Sequence, residues 1–213
     1  MFKLHDQREA WKRLADEIGA DFVDISSIKM IGPIGLAIPM RVEHTYKDWT
    51  IILDTYAEHS TEGKSSIFTR MRAAYVSSTD FSFSIKRKTA FSRIAKAFGK
   101  KPIYTGDDAF DDVFVLKSND EAAVKNLFSD CYLRELALDI NIVNVRTRDC
   151  AGSQEYGHKE NGKELYFSYS YPSANRAVTD INILKDLFKF FELLLDGLVK
   201  NNIALSKTNN AKS

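Results

Sequence analysis

The side chains best placed to do chemistry begin with Arg70 and Arg72, in the run Thr69-Arg70-Met71-Arg72. If this run is a strand, residues at i and i+2 project from one face. Two guanidinium groups on one face can grip a phosphate or carboxylate in bidentate fashion. The same arrangement suits cross-strand pairing with carboxylates equally well. A second set is the acidic cluster Asp107, Asp108, Asp111 and Asp112. Its oxygens suit a hard cation such as Ca²⁺ or Mg²⁺, but their order does not match an EF-hand loop. Turn and strand-edge chemistry is the expected role, so no metal is expected and these four aspartates are the candidates should one bind. A third set is the basic run Lys86, Arg87, Lys88, Arg93, Lys96, Lys100 and Lys101, with no acid between them and with Phe91 and Phe98 interleaved. Such runs can bind phosphate backbones and stack bases. The expected reading is a solvated helix face, neutralised locally by the acidic cluster that follows it.

Other chemistries find less support. There is no G-x-S-x-G or S-x-x-K nucleophile motif, no glycine-rich phosphate loop, no zinc motif and no dinucleotide fingerprint. His5, His44, His59 and His158 are isolated and read as surface histidines. Cys131, beside Tyr132 and Leu133, reads as a buried and inert thiol. Cys131 and Cys150 form no disulfide framework and fit a reducing compartment.

Bulk properties are those of an ordinary globular chain. It has 213 residues, 44% hydrophobic and 28% charged, enough for one sizeable core. A net charge of +1 gives no global attraction to nucleic acid or acidic lipid. Any such binding must come from a local patch, and nucleic acid is not the expected partner. Residues 1–20 are charged throughout and do not read as a signal peptide. The longest apolar run, Phe190 to Leu195, is broken by Glu192 and is far too short to span a bilayer. A cytoplasmic protein is expected.

The elements that must position these residues follow from periodicity. His5 to Ile18 reads as a helix, with Trp11, Leu14 and Ile18 on one face, Asp6 as its cap and Gly19 as its stop. Phe22 to Ile28 is a weak strand, and Lys29 to Pro39 a loop. Met40 to Tyr46 and Trp49 to Tyr56 form a hairpin about Lys47-Asp48. Apolar residues on both faces of the second strand make it interior to its sheet. Glu58 to Ser65 reads as a loop and Ser66 to Val76 as a long strand. Phe81, Phe83 and Ile85 alternate with serines in a half-buried strand. Short connections join the four strands from Met40 to Arg87 into an antiparallel meander.

The central unit runs from Thr105 to Asp130. A charged turn leads to a strand from Phe110 to Leu116, and Ser118 or Asn119 caps the helix that begins near Asp120. Ala90 to Phe98 and Cys131 to Leu138 read as short helices, Asn141 to Arg146 and Leu165 to Ser170 as strands, and Asp149 to Gly162 as a mobile loop. A final helix from about Ala177 to Lys200 carries a wide stripe that includes Leu184, Phe188, Phe191, Leu195 and Leu198. A stripe that wide calls for a sheet face as its partner.

The residues Asp48-Trp49-Thr50, Leu53-Asp54-Thr55-Tyr56, Thr69-Arg70-Met71-Arg72-Ala73, Phe81-Ser82-Phe83, Gly106-Asp107, Phe110-Asp111 and Asn119-Asp120-Glu121 form a pattern with Leu165-Tyr166-Phe167 and the Leu184 to Leu195 helix. This pattern resembles a family of small soluble bacterial proteins with no established activity. The resemblance spans nearly the whole chain, so it implies one shared fold and transfers no site. The chain departs from the pattern at Lys100-Lys101-Pro102, where a less basic connection is expected.

The sequence therefore predicts an α+β fold. An antiparallel meander sheet carries flanking helices, with the long C-terminal helix packed on it. Residues 1–205 are expected to form a single domain and 206–213 a disordered tail. The expected function is a non-catalytic binding or interaction module without a cofactor, using Arg70, Arg72, Lys86, Arg87 and Lys88 toward a protein or small-molecule partner. A carrier of a small apolar ligand, held between sheet and C-terminal helix, is the second reading. A metal-dependent hydrolase built on the aspartate cluster is the third.

Overall fold

The computed structural model describes residues 2–24, 40–59, 65–88, 101–150, 162–170 and 177–205. The expected loop Lys29 to Pro39, the helix Ala90 to Phe98 and the tail from Ser206 lie outside the described residues. So do most of the loops Glu58 to Ser65 and Asp149 to Gly162, and Arg93, Lys96 and Lys100 of the basic run.

Helix α1 is Phe2–Ile18, followed by strands β1 (Asp21–Asp24), β2 (Met40–Tyr46), β3 (Trp49–His59), β4 (Ser65–Ser77) and β5 (Phe83–Arg87). Then come α2 (Asp108–Val113), β6 (Phe114–Ser118), α3 (Glu121–Leu127), α4 (Cys131–Ile140), β7 (Asn144–Asp149) and β8 (Gly162–Tyr169). Helix α5 (Ile181–Lys200) and β9 (Ala204–Leu205) complete the set. Among the described residues the strands form an antiparallel sheet in the order β1-β2-β3-β4-β8-β7-β5-β6, with β9 on β4. The fold class is α+β.

The chain divides into two compact units. The first is Met1–Ala73 with Phe167–Phe188; the second is Ala74–Tyr166 with Lys189–Ser213. In the first unit β1 to β4 make an antiparallel meander, and α1 packs against β1 and β2. Trp11, Leu14 and Ala15 bury the inner face of α1. Asp6 lies inside this helix, which begins at Phe2, and is not its cap. Gly19 ends it at φ +66°, where the left-handed backbone suits glycine. Lys47, at φ +52°, turns the β2–β3 hairpin as expected. β3 lies between β2 and β4, and its Ile51, Ile52 and Leu53 are buried on both faces. The stretch before α5 is anchored through its backbone: Trp11 Nε1 donates to the Val178 carbonyl at 2.9 Å, and the Val178 amide donates to Thr69 Oγ1 at 2.7 Å. The edge of the Phe188 ring meets the His44 ring at 5.7 Å.

In the second unit β5 lies between β6 and β7, antiparallel to both. The expected meander therefore ends at β4: β5 does not continue it. The reason lies in the connection. Ser78 does not close a hairpin but binds the segment that follows α5, its amide donating to the Ile203 carbonyl at 2.8 Å beside the β4–β9 pair. Phe81, Phe83 and Ile85 are buried as their alternation predicts.

The expected strand from Phe110 to Leu116 is a short helix followed by a strand. Asp107 caps α2 by accepting the Phe110 amide, and the extended chain starts only at Phe114. Asp120, not Ser118 or Asn119, caps α3, accepting the Ala123 amide at 2.9 Å. Ser118 Oγ and Asn119 Oδ1 instead hold the Ser82 backbone at 2.7 Å each. Asp130 caps α4, and Asn141, left-handed at φ 60°, ends it, so β7 begins at Asn144 rather than Asn141. α5 begins at Ile181, four residues after the expected start. Asp180 Oδ1 accepts the Asn182 and Ile183 amides there. Its stripe is buried: Leu184, Leu187, Phe188, Phe190, Phe191, Leu194, Leu195 and Leu198 are at most 2% exposed. Near its end, a Cβ on Gly197 would fall 2.4 Å from Leu127 Cδ1, so α3 and α5 approach closely where glycine leaves room.

Candidate functional site

Arg70 and Arg72 share a face of β4, as the strand period requires, and meet one carboxylate. Asp54 on β3 lies directly opposite Arg70. Arg70 Nε and Nη2 donate to its two oxygens at 2.6 Å each, and Arg72 Nη2 donates to Asp54 Oδ2 at 2.7 Å. Arg72 is 5% exposed, whereas Arg70 is half-buried and also lies 5.3 Å from the centre of the Tyr56 ring. Cross-strand pairing thus occupies the arginines.

The basic run separates by what each side chain meets. Arg87 Nη1 donates to the carbonyl of Asn141 at 3.0 Å, and Lys88 Nζ donates to the carbonyl of Asp111. Both carbonyls lie at helix C-terminal ends, where main-chain acceptors lack helical partners and cations are favoured. Lys86, on the face of β5 opposite to Arg87, is exposed, and its side chain has no ion pair or hydrogen bond among the described residues.

The aspartate cluster also separates. Asp107 caps α2 and receives Arg134 Nε at 2.8 Å. The Arg134 guanidinium, and after it the Phe110 amide, holds the Asp107 carboxyl below the usual carboxylate range. Asp111 is buried and accepts the Thr105 amide and hydroxyl at 3.0 Å and the Gly106 amide at 2.9 Å. Asp108 and Asp112 are exposed. Among the described residues no group of three or more His, Cys, Asp or Glu side chains is placed to hold a metal ion. Cys131 is exposed at the start of α4, contrary to its expected burial. Burial pushes the Tyr75 hydroxyl well above its usual range, with Cys150 and Asp149 adding to the effect.

The register of the second unit assembles a cationic row that the linear sequence hides. Ser84 on β5 lies directly opposite Lys117 on β6 and Arg146 on β7. Residues opposite one another in a ladder project to the same face, so the three stand side by side on the face away from Phe83 and Ile85. Lys86 is two residues along on the same face. Lys117 and Arg146, like Lys86, have no ion pair among the described residues. The buried Tyr166 ring on β8 flanks this row, with the Arg146 and Arg148 guanidiniums 5.3 and 4.0 Å from its centre. Arg148 is also 3.7 Å from Glu164. A recess of about 260 Å³ opens around Ser84, between Lys117 and Arg146. The sequence carried a signal for this face: Lys117 lies on an outward position of β6, and Arg146 and Arg148 alternate with the buried Val145. Which strands lie side by side was the missing information.

No family model matches this chain, and no curated protein sequence matches it. A solved structure that it resembles is the crystal structure of the mycobacterial trehalose monomycolate transport factor A. The identity is 13%, over 92% of this chain and 97% of that one, with a TM-score of 0.45. Among the described residues no helix is long and apolar enough to cross a membrane.

Proposed function

We propose that the protein is a non-catalytic binding module, and that it holds an anionic partner against the outer face of β5, β6 and β7. One observation carries this reading: Lys86, Lys117 and Arg146 share that face without a counter-ion among the described residues. Three cations gathered on one face of the sheet repel one another across Ser84, and a bound anion relieves that repulsion. The net charge of +1 means that the attraction is a property of this patch and not of the whole chain. Asp54, Asp107 and Asp111, by contrast, are committed to internal partners, which suits structural rather than catalytic carboxylates. Arg70 and Arg72 then serve as sheet cross-links, and Lys86 remains a binding residue.

A fluorescently labelled polyglutamate chain tests the reading by anisotropy. The parent protein binds it at low ionic strength, with an affinity that falls as salt screens the contact. The combined variant Lys86→Gln, Lys117→Gln, Arg146→Gln loses most of that binding. Equal binding by parent and variant would remove this face as the binding surface.

A further inference from the structure

We propose that the recess around Ser84 is a site for a phosphate monoester group. The inference rests on the reading that this face binds an anion and names the group it takes. Lys117 and Arg146 flank Ser84 on the two adjacent strands. Neighbouring strands are about 4.8 Å apart, so the two cationic residues are separated by about 9.6 Å of backbone. Both side chains are long enough to bend over the serine between them and meet one anion.

The hydroxyl groups sharpen the choice of ligand. Ser118 Oγ donates to the Ser82 carbonyl, and Thr147 Oγ1 accepts the Phe83 amide, so both are committed to the backbone. The hydroxyls of Ser82 and Ser84, which also line the recess, have no protein partner among the described residues. The recess thus offers a guanidinium fork, an ammonium and two hydroxyl donors. A planar carboxylate has two oxygens and leaves part of this set unmet. A phosphate monoester presents three terminal oxygens and nearly two negative charges at neutral pH. It answers both the charge and the number of donors. Drug-sized ligands occupy pockets of roughly 300–1,000 Å³. The recess, at about 260 Å³, lies below that range, so the phosphate carries a small substituent or projects its remainder into solvent.

The test follows backbone amide shifts of the isotope-labelled full chain. Inorganic phosphate, glycerol phosphate, acetate and vesicles containing phosphatidic acid are added in separate titrations. The expected result is a saturable shift at Ser84, Lys117 and Arg146 with phosphate and glycerol phosphate, and no saturation with acetate. Arg146→Gln and Lys117→Gln should each weaken glycerol phosphate binding about tenfold, the loss of one charge-assisted contact. Both variants keep a dispersed spectrum, because neither side chain forms an ion pair among the described residues and Arg146 gives up only its contact with the Tyr166 ring. Tighter binding to vesicles than to glycerol phosphate assigns the phosphate to a lipid headgroup. Preference for glycerol phosphate assigns it to a soluble molecule. Absence of saturation, equal affinity for acetate, or unchanged binding by both variants overturns the phosphate site. If polyglutamate still binds the face in that case, the phosphate assignment alone has failed. If it does not, the binding face has failed with it.

Discussion

Asp54 and Arg70 face each other directly across β3 and β4, and both oxygens of the carboxylate receive the guanidinium fork at 2.6 Å. Arg72, two residues along the same strand, completes the triad from a more buried position. A charge removed from water is tolerated when paired, and breaking such a pair strands its partner. Arg72→Gln should therefore lower stability by about 3 kcal/mol. Arg70→Gln, at a side chain 25% exposed, should cost closer to 1 kcal/mol. Urea midpoints measure both. Unchanged midpoints in the two variants would mean that the arginines are available for ligands after all.

The cap of α3 gives a sharp comparison between neighbours. Asp120→Ala removes the acceptor of the Ala123 amide and should cost about 1 kcal/mol. Asn119→Ala acts elsewhere, releasing the Ser82 amide and the Asp80 carbonyl. Hydrogen exchange separates the two effects. Asp120→Ala should speed exchange at the first turn of α3, and Asn119→Ala at the start of β5. Faster exchange in α3 from the Asn119 variant alone would reassign the cap.

Asp107 supplies a pH dependence with a definite sign. Its carboxyl is depressed in the folded protein by Arg134 and the Phe110 amide, and it returns to an ordinary value of about 3.9 on unfolding. The unfolded chain thus takes up the proton first as pH falls. The stabilisation is complete above the ordinary value and is lost as pH drops below it through the folded value. Parent protein should lose stability more steeply below about pH 4 than Asp107→Asn does. Identical slopes for the two would show that the Arg134 pair contributes nothing.

The buried stripe of α5 predicts a large truncation effect. Phe191 is fully buried, and Phe191→Ala should cost about 3–5 kcal/mol. Thermal unfolding of the full chain measures it. A loss below about 1 kcal/mol would place the ring in a region that collapses around the gap or stays wet.

Much of the fold could be read because burial leaves a period in the sequence. The α5 stripe, the alternation of Phe81, Phe83 and Ile85, and the glycine stop after α1 are local signals of this kind. α2 is not legible in the sequence because Phe110 and Phe114, both buried, fit an apolar strand almost as well. The difference lies in Asp107 and Asp111, whose side chains bind main-chain amides nearby. Aspartate composition alone does not reveal such bonds. The strand order was hidden for another reason. β5 pairs with β6 and β7, which come after it in the chain, and composition carries no record of that choice. The cationic row depends on that pairing, so Lys86 stood out in its basic run while Lys117 and Arg146 did not. The arginine pair shows the converse. The spacing of Arg70 and Arg72 gave their common face, and Asp54, on the preceding strand, decided what that face does.

The most direct measurement is a map of amide shifts in the labelled full chain on addition of polyglutamate at low salt. The account predicts perturbations concentrated at Ser82 to Lys86, Val115 to Lys117 and Asn144 to Arg148, fading as ionic strength rises. Perturbations centred on Thr69 to Arg72, or spread evenly over the basic residues, would contradict a binding face on β5, β6 and β7.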